Sequence, residues 1–253
     1  MAYAENRGVR IYYETAGSGP PLVLHHWSLA TLADWRVLGY VQAFADDYRV
    51  ICMDARGNGR SDHPQVPGAY SLEQRVGDVV AVLDDLGIRK ADFFGYSLGG
   101  WIGFGIGRYA QDRFRSLIIG GQHAFAQSME EMRELARFGI DHGPIAFADM
   151  CEADFGILSA EEKEQMLAQD FSALLASAQD RADLSDALPK ISLPCLLFAG
   201  EKDPVHTLAR ECASRIPRGS FVSLPGLDHL GAIVNRDLVV SIVRSFLAGV
   251  EGH

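Results

Sequence analysis

Short apolar segments alternate with amphipathic segments along the first half of the chain. The apolar segments, which predict strands, are residues 9–16, 22–26, 48–53, 91–96 and 114–119. The amphipathic segments, which predict helices, are residues 33–44, 72–86 and 98–110. Ser71, three residues before Gln74, indicates a capped start for the second of these helices. Because buried strands that alternate with helices run parallel, this order predicts a mostly parallel sheet covered on both faces.

The alternation stops between Ala124 and Pro189, where the strand signal disappears and apolar residues recur at helical spacing. It resumes with strands at residues 195–199 and 220–224 and a closing helix at residues 230–247. We therefore expect an α/β core made of residues 1–123 and 190–253, interrupted by a helical cap at residues 124–189.

The composition narrows the class of protein. The 253 residues are 48% hydrophobic, which is enough to bury a large core, and the formal net charge is −10. This acidic balance disfavours binding to nucleic-acid phosphates. No run approaches the ~18 apolar residues of a membrane span, and the first residues, MAYAENRGVR, lack the apolar stretch of a signal peptide. We expect a cytoplasmic protein that binds neither nucleic acid nor a membrane.

The cysteines do not form any metal-binding or disulfide pattern. They stand alone at Cys52, Cys151, Cys195 and Cys212, without a CxxC motif or a neighbouring histidine. We therefore expect four reduced packing residues and no structural metal.

Ser97 stands between glycines where a predicted strand meets a predicted helix, in the sequence FFGYSLGGW. Gly95 and Gly99 lie two residues before and after it, where a side chain would collide as the strand and the helix cross. Gly100 lets the helix pack closely on the sheet. Such a turn holds Ser97 in an unfavourable backbone conformation and raises its hydroxyl above the carboxyl edge of the sheet, where open α/β folds bind ligands.

Two cofactor interpretations of these glycines fail on particular residues. A dinucleotide site requires GxGxxG, but Gly103–Gly107 lies within a predicted helix and is followed by Arg108. A phosphate-binding loop requires a lysine after its second glycine, and the residue after Gly100 is Trp101. We expect no cofactor.

Ser97 cannot attack a carbonyl group unaided, because its hydroxyl stays protonated at neutral pH, so it requires a histidine and a carboxylate. Of the eight histidines, only His229 follows the last predicted strand, in a glycine- and proline-containing loop at the carboxyl edge. The others end an early strand, lie in loops or the terminus, open the insertion or begin a helix: His25, His26, His63, His123, His142, His206 and His253.

Asp203 is the predicted carboxylate, because it directly follows the penultimate strand at the same edge. Glu201 is a weaker candidate, since it lies too close to the strand end. Asp228 is adjacent to His229 and would have difficulty reaching the far nitrogen of the imidazole. The order serine, aspartate, histidine is the one expected for a nucleophile elbow of this kind.

Four motifs together resemble those of the α/β-hydrolase superfamily, and they extend over nearly the whole chain. They are GYSLGG at 95–100, DARGNGRS at 54–61, GEKDP at 200–204 and GLDHL at 226–230. The resemblance implies an α/β-hydrolase fold with Ser97 as nucleophile, His229 as general base and then acid, and Asp203 as the orienting acid. The DARGNGRS loop is expected to be structural.

The resemblance also implies two backbone donors for an oxyanion hole. One is the N–H of Leu98, which directly follows the nucleophile. The second comes from the sequence HHWSLAT, where the family usually carries His-Gly. If His26 matches the family histidine, as the distance to Trp35 favours, the donor is Ser28; if His25 matches, the donor is Trp27.

The elbow and the DARGNGRS loop are most similar to the branch that contains carboxylesterases, enol-lactonases, haloperoxidase-like perhydrolases and carbon–carbon bond hydrolases. Serine at position 97 argues against dehalogenases and epoxide hydrolases, which need a carboxylate nucleophile. The resemblance implies a cofactor-independent serine hydrolase acting on a small carboxylic ester or lactone. The alternatives are carbon–carbon hydrolysis or perhydrolysis with the same residues, and a receptor-like ligand-binding protein with little turnover.

The predicted cap carries fourteen acidic and four basic residues, which favours an uncharged, modestly apolar substrate. Roughly two or three of its large apolar side chains are expected to face the substrate, and the rest to pack between helices. The candidates are Met129, Met132, Phe138, Phe147, Met150, Phe155, Met166 and Phe171.

Overall fold

The computed structural model describes residues 2–155 and 160–251, and these contain a sheet of eight strands. The strands are β1 (Ala2–Asn6), β2 (Val9–Ala16), β3 (Pro21–His25), β4 (Arg49–Met53), β5 (Ala91–Tyr96), β6 (Phe114–Gly120), β7 (Cys195–Gly200) and β8 (Gly219–Leu224). Their order across the sheet is β1-β2-β4-β3-β5-β6-β7-β8. β2 pairs antiparallel with β1 and with β4, and the remaining neighbours are parallel, which confirms the predicted sheet.

The α-helices of the described residues connect and cover these strands. They are α1 (Leu32–Val37), α2 (Tyr40–Ala45), α3 (Leu72–Asp85), α4 (Leu98–Tyr109), α5 (Glu130–Phe155), α6 (Ala160–Leu167), α7 (Phe171–Ser177), α8 (His206–Arg215), α9 (His229–Val234) and α10 (Arg236–Glu251). Ser71 caps α3 by accepting a hydrogen bond from the Gln74 N–H at 3.3 Å, as predicted.

Apolar residues pack on both faces of the sheet, because successive side chains of a strand point to opposite faces. Phe93 packs in a core with residues of α3, α4 and α8. The next residue, Phe94, packs in a second core with residues of α1, α2, α9 and α10. The central strands β3, β5, β6 and β7 are therefore buried on both sides, and the carboxyl ends of the parallel strands meet at one edge.

Three elements differ from the predictions. The helix predicted at residues 33–44 is two helices, separated at Gly39, whose φ of 79° few other residues adopt. The predicted closing helix is also two helices, α9 and α10, divided at Asn235. Since α9 begins one residue earlier than predicted, His229 is its first residue and does not lie in a loop. The sequence analysis also missed β1, which pairs with β2 at the edge of the sheet.

The insertion, residues 124–189, contains α5, α6 and α7. An antiparallel bridge between Gln127 and Arg181 joins its two ends through backbone hydrogen bonds of 3.0 and 2.9 Å. Phe147 and Phe171, with ring centroids 4.8 Å apart, lie in an apolar core of the insertion itself. The division of the chain into a core and a cap stays a prediction. No helix in the described part of the chain combines the length and hydropathy of a membrane span.

Candidate active site

Ser97 lies at a sharp turn between the end of β5 and the start of α4. Its φ of +50° and ψ of −104° are outside the regions that residues with a side chain favour. A side chain on Gly95 would collide with the carbonyl group of Gly99, and one on Gly99 would collide with the carbonyl group of His25. The close approach of these backbone segments therefore requires both glycines, as the sequence indicated.

Backbone hydrogen bonds hold this turn against the neighbouring strands. The Ser97 N–H donates to the Gly120 carbonyl at 2.9 Å, and the Gly99 N–H donates to the His26 carbonyl at 3.1 Å. Leu98, between them, is the first residue of α4, where an N–H has no acceptor within its own helix. An N–H at this position is suited to bind a negatively charged oxygen.

His229 and Asp203 form a hydrogen bond in which Nδ1 of the imidazole lies 2.7 Å from Oδ2 of the carboxylate. The Asp203 side chain is 1% exposed and the His229 side chain 36% exposed. The second carboxylate oxygen of Asp203, Oδ1, accepts the Val205 N–H at 3.1 Å. Because a carboxylate only accepts hydrogen bonds, His229 Nδ1 is the donor in this bond, and Nε2 lies on the other side of the ring.

The two rival carboxylates have other partners. Glu201 is exposed and accepts the Gly226 N–H at 3.1 Å. Asp228 is the N-cap of α9 and accepts the Gly231 N–H at 2.7 Å. Asp203 is the carboxylate that contacts the His229 imidazole, as the sequence predicted.

His26 is buried and neutral in the loop that follows β3. Its Nε2 accepts the Ala55 N–H at 2.9 Å, so Nδ1 carries the proton and donates to the Trp27 carbonyl at 2.7 Å. Burial lowers the pKa of His26 to about 4 and that of His25 to about 3. Trp27 and Ser28 both line the cavity described below, so both stay candidates for the second oxyanion donor.

Asp54 organises the DARGNGRS loop. Its Oδ1 accepts the Leu32 N–H at 2.7 Å, and its Oδ2 accepts the Arg60 N–H at 2.8 Å. Gly57 and Gly59 have φ values of 79° and 54°, which turn the chain between these contacts. These contacts give the loop the structural role that the sequence analysis assigned to it.

Ser97 and His229 line one cavity of about 380 Å³, termed here the serine cavity. Its walls also include Trp27, Ser28, Gln122, Met129, Met132 and Arg181. The structure thus brings together Ser97, His229 and the loop after β3, with Asp203 bonded to the far side of the imidazole. Leu98 lines a second cavity that shares part of this wall.

Comparisons with known proteins agree with this architecture. A family model described as alpha/beta hydrolase fold matches residues 20–142. A 3-oxoadipate enol-lactonase of Acinetobacter baylyi is 31% identical over 214 residues, which cover 79% of each chain. The chain belongs to the α/β-hydrolase family.

Solved structures of this family resemble the present α/β-hydrolase over nearly all of its length. The enol-lactonase from Burkholderia xenovorans LB400 has a TM-score of 0.85 and 27% identity, covering 98% of this chain and 100% of the other. A thermophilic esterase from Thermogutta terrifontis has a TM-score of 0.82 and 26% identity, covering 98% of each chain. The family and the fold that the motifs implied are therefore confirmed.

Of the apolar residues expected to face substrate in this α/β-hydrolase, Met129 and Met132 line the serine cavity. Five others belong to the apolar core of the insertion: Phe138, Phe147, Met150, Met166 and Phe171. The side chain of Phe155 and the whole of His253 lie outside the described residues.

Sequence reasoning missed two residues of the site. Tyr96 donates a hydrogen bond of 2.5 Å from its hydroxyl to the His229 carbonyl, and its place directly before the nucleophile is the signal that could have identified it. Arg181 lines the serine cavity and is only 6% exposed, although its neighbours Asp180 and Asp183 are typical of a surface segment. Nothing in its local sequence predicts its burial.

Proposed function

We propose that this α/β-hydrolase is a cofactor-independent serine hydrolase that cleaves a small carboxylic ester or lactone through an acyl-enzyme. The proposal rests on one observation: the His229 imidazole, bonded to buried Asp203 at 2.7 Å, lines the same cavity as Ser97 at its strained turn. Acyl transfer by a serine requires these three groups. The imidazole takes the proton of the serine hydroxyl, and the carboxylate orients the imidazole and stabilises its charged form.

In the first half of the reaction, His229 Nε2 takes the Ser97 proton while Ser97 Oγ adds to the substrate carbonyl carbon. The Asp203 carboxylate stabilises the imidazolium that forms. The Leu98 N–H, with that of Trp27 or Ser28, stabilises the negative charge on the former carbonyl oxygen. His229 then returns the proton to the leaving alcohol, and the acyl group stays on Ser97.

In the second half, water replaces the alcohol. His229 takes a proton from the water, whose oxygen adds to the acyl carbonyl, and the carboxylic acid leaves as Ser97 regains its proton. For a lactone the alcohol and the acid are parts of one product. Residues 124–189, which contribute Met129, Met132 and Arg181 to the serine cavity, would act as a cap that selects the substrate.

The similarity to enol-lactonases and to an esterase supports this substrate class. Those names describe the cleavage of a lactone and of an ester. Much of the wall of the serine cavity is apolar, as in the binding sites of small organic substrates.

The test is hydrolysis of p-nitrophenyl acetate and butyrate by purified protein and two serine variants. Ser97→Ala should lower kcat/KM by ~10³-fold or more with an unchanged melting temperature. Ser223→Ala is the matched control, because Ser223 Oγ contacts the His206 ring at 2.8 Å and so forms a second serine–histidine pair away from the cavity. It should keep wild-type activity.

Labelling with a fluorophosphonate, followed by peptide mapping, should modify Ser97 in the wild type and in Ser223→Ala. Hydrolysis by Ser97→Ala at the wild-type rate, or a label on another serine, would contradict the proposal.

A further inference from the structure

Two buried arginines line a second, smaller cavity beside the serine cavity. Arg75, on α3, is 3% exposed, and Arg181, on the insertion, is 6% exposed. The walls of this arginine cavity also include Leu98, Trp101 and Asn58. Its volume is about 20 Å³, and its lining contains no aspartate or glutamate among the described residues.

Arg181 is held by neutral groups. Its Nη1 donates to Oε1 of Gln127 at 3.1 Å, and its guanidinium carbon lies 4.9 Å from the centroid of the Trp101 ring. Asp180, the adjacent residue, instead accepts from Arg133 at 2.8 Å and is largely exposed. Among the carboxylate side chains that the structure describes, none forms an ion pair with Arg181.

The carboxylate near Arg75 is also bonded to another residue. Its Nε donates to the Tyr70 carbonyl at 3.2 Å, but its Nη1 is buried without a hydrogen-bond partner among the described residues. The nearby carboxylate, Asp78, is already bound by Arg56 through bonds of 2.6 and 2.5 Å. Nε1 of Trp101 is a second buried donor for which the described chain provides no acceptor. Two donor-bearing residues of this wall therefore keep unsatisfied hydrogen-bonding capacity.

Burying two cations side by side is unfavourable. Burial lowers the pKa of Arg75 to about 10, and burial together with the charge of Arg75 lowers the pKa of Arg181 to about 9. Both groups are still cationic at neutral pH. A negatively charged group in the arginine cavity would offset the cost of desolvating both cations.

The arginine cavity adjoins the candidate catalytic groups. It shares Arg181, Ser28, Leu29, Met129 and Met132 with the serine cavity. It is also lined by Leu98, whose N–H we assign to the oxyanion hole. A volume of about 20 Å³ accommodates roughly one or two small polar groups, so only the end of a substrate would enter it.

We infer that Arg181, assisted by Arg75, binds a carboxylate carried by the substrate, so that the preferred substrate is a half-ester or a lactone with a free carboxylate. The planar guanidinium group matches a carboxylate through two parallel hydrogen bonds. This inference rests on the proposed hydrolase function and names its substrate class. The wall of the serine cavity includes one acidic residue, Glu131, whose side chain is exposed to solvent. Glu131 does not line the arginine cavity.

The inference departs from the expectation of an uncharged substrate, which came from the charge count of the insertion. Of the four basic residues counted, Arg133, Arg137 and Lys163 pair with acidic side chains. Arg181 has no acidic partner among the side chains that the structure describes, and it faces the cavity. The count could not distinguish this residue from the other three.

The kinetic test compares matched pairs of esters that differ only by a terminal carboxylate. One pair carries it on the acyl chain (p-nitrophenyl hemiglutarate against p-nitrophenyl pentanoate), and the other carries it on the alcohol (4-acetoxybutanoate against butyl acetate). We expect the wild type to prefer the charged member of at least one pair. Arg181→Met should lower kcat/KM for that member by about 10- to 100-fold and change the uncharged member by less than about threefold.

Two further variants separate charge from structure. Arg181→Lys keeps the charge and should recover part of the preference. Arg137→Met removes an exposed arginine of the insertion that is bonded to Glu130 and should behave as wild type. Because each ratio compares two substrates on one protein sample, a partly unfolded variant does not change it. A wild type that hydrolyses these esters but prefers neither charged one, or an Arg181→Met variant with an unchanged ratio, would overturn the inference.

A binding test distinguishes this inference from the proposed function. Sodium pentanoate should raise the melting temperature of the wild type and of Ser97→Ala, relative to pentanamide with sodium chloride, and should not raise that of Arg181→Met. This outcome supports the carboxylate site even if no ester is hydrolysed, in which case only the proposed function fails. Equal effects of pentanoate and pentanamide on the wild type would overturn the inference, whether or not the protein hydrolyses esters.

Discussion

The Tyr96 hydroxyl donates a hydrogen bond of 2.5 Å to the backbone carbonyl of His229, and so ties the residue before the nucleophile to the candidate base. The two rings also lie close, with centroids 5.3 Å apart. Tyr96 is buried at the end of β5, so its position is set by the sheet. The first residue of α9 is therefore anchored to the same strand that positions Ser97.

Removing this hydroxyl should impair activity more than it impairs stability. Tyr96→Phe is expected to lower kcat by about tenfold, because the imidazole loses a positioning contact, and to lower the free energy of unfolding by about 1 kcal/mol. Tyr40→Phe is the matched control, since the Tyr40 hydroxyl donates to the Ile233 carbonyl at 2.7 Å in the same helix, α9. It should lose similar stability and keep its activity. Ester hydrolysis and urea unfolding measure both, and equal activity losses would contradict the positioning role.

Asp203→Asn should nearly abolish catalysis while it preserves the fold. An amide at this position can bond to the imidazole but cannot stabilise the imidazolium, so kcat should fall by about 10³- to 10⁴-fold. Asp228→Asn provides the comparison, because asparagine is an equally good N-cap for α9 and the Asp228 carboxylate accepts the Gly231 N–H. Its rate should stay within about twofold of wild type. A comparable loss of rate in both variants would contradict a specific role of the Asp203 carboxylate in catalysis.

Gly99→Ala should destabilise the protein strongly. The added methyl group would collide with the backbone carbonyl of His25, which cannot move aside as a flexible side chain could. We expect the free energy of unfolding to fall by about 2 kcal/mol or more. Gly68→Ala is the control, because no atom lies within 4 Å of the added methyl group. Urea unfolding should place it within about 0.5 kcal/mol of wild type; similar stabilities for both variants would contradict a close-packed turn.

The buried histidines should make the fold sensitive to mild acid. Burial lowers the pKa of His25 to about 3 and of His26 to about 4, whereas the unfolded chain takes up these protons near the ordinary value of 6.5. As pH falls from 6.5 towards 4, the unfolded state therefore binds more protons and is favoured. Each histidine can contribute a loss of up to about 1.4 kcal/mol per pH unit.

A variant isolates this effect from the buried carboxylates. Burial raises the pKa values of Asp34, Asp54 and Asp78, so these groups favour the folded state on acidification and act in the opposite direction. His25→Leu has a similar volume and does not titrate. Between pH 6.5 and 4.5 it should lose about 1–2 kcal/mol less stability than wild type in urea unfolding. Parallel curves for the two proteins would contradict a neutral, buried His25.

The sequence was most informative where structure depends on local patterns. β2 and β5 have the predicted bounds. A short apolar run with turn residues at its ends is the sequence pattern typical of a strand. The elbow glycines were equally visible, since the glycine pattern around Ser97 lies within a few residues of it. The sequence could place Ser97, Asp203 and His229 near one another because each follows a predicted strand at the same edge of the sheet.

Packing between distant segments decided the rest. β1 belongs to the sheet through its pairing with β2, which the sequence analysis did not predict. Arg181 is the clearest case, because its sequence neighbours are those of a surface loop. It is buried by Gln127, 54 residues away, and by the ring of Trp101, on α4. Periodicity encodes which face of an element is apolar, whereas the desolvation of one charged side chain depends on contacts that form only when remote segments meet.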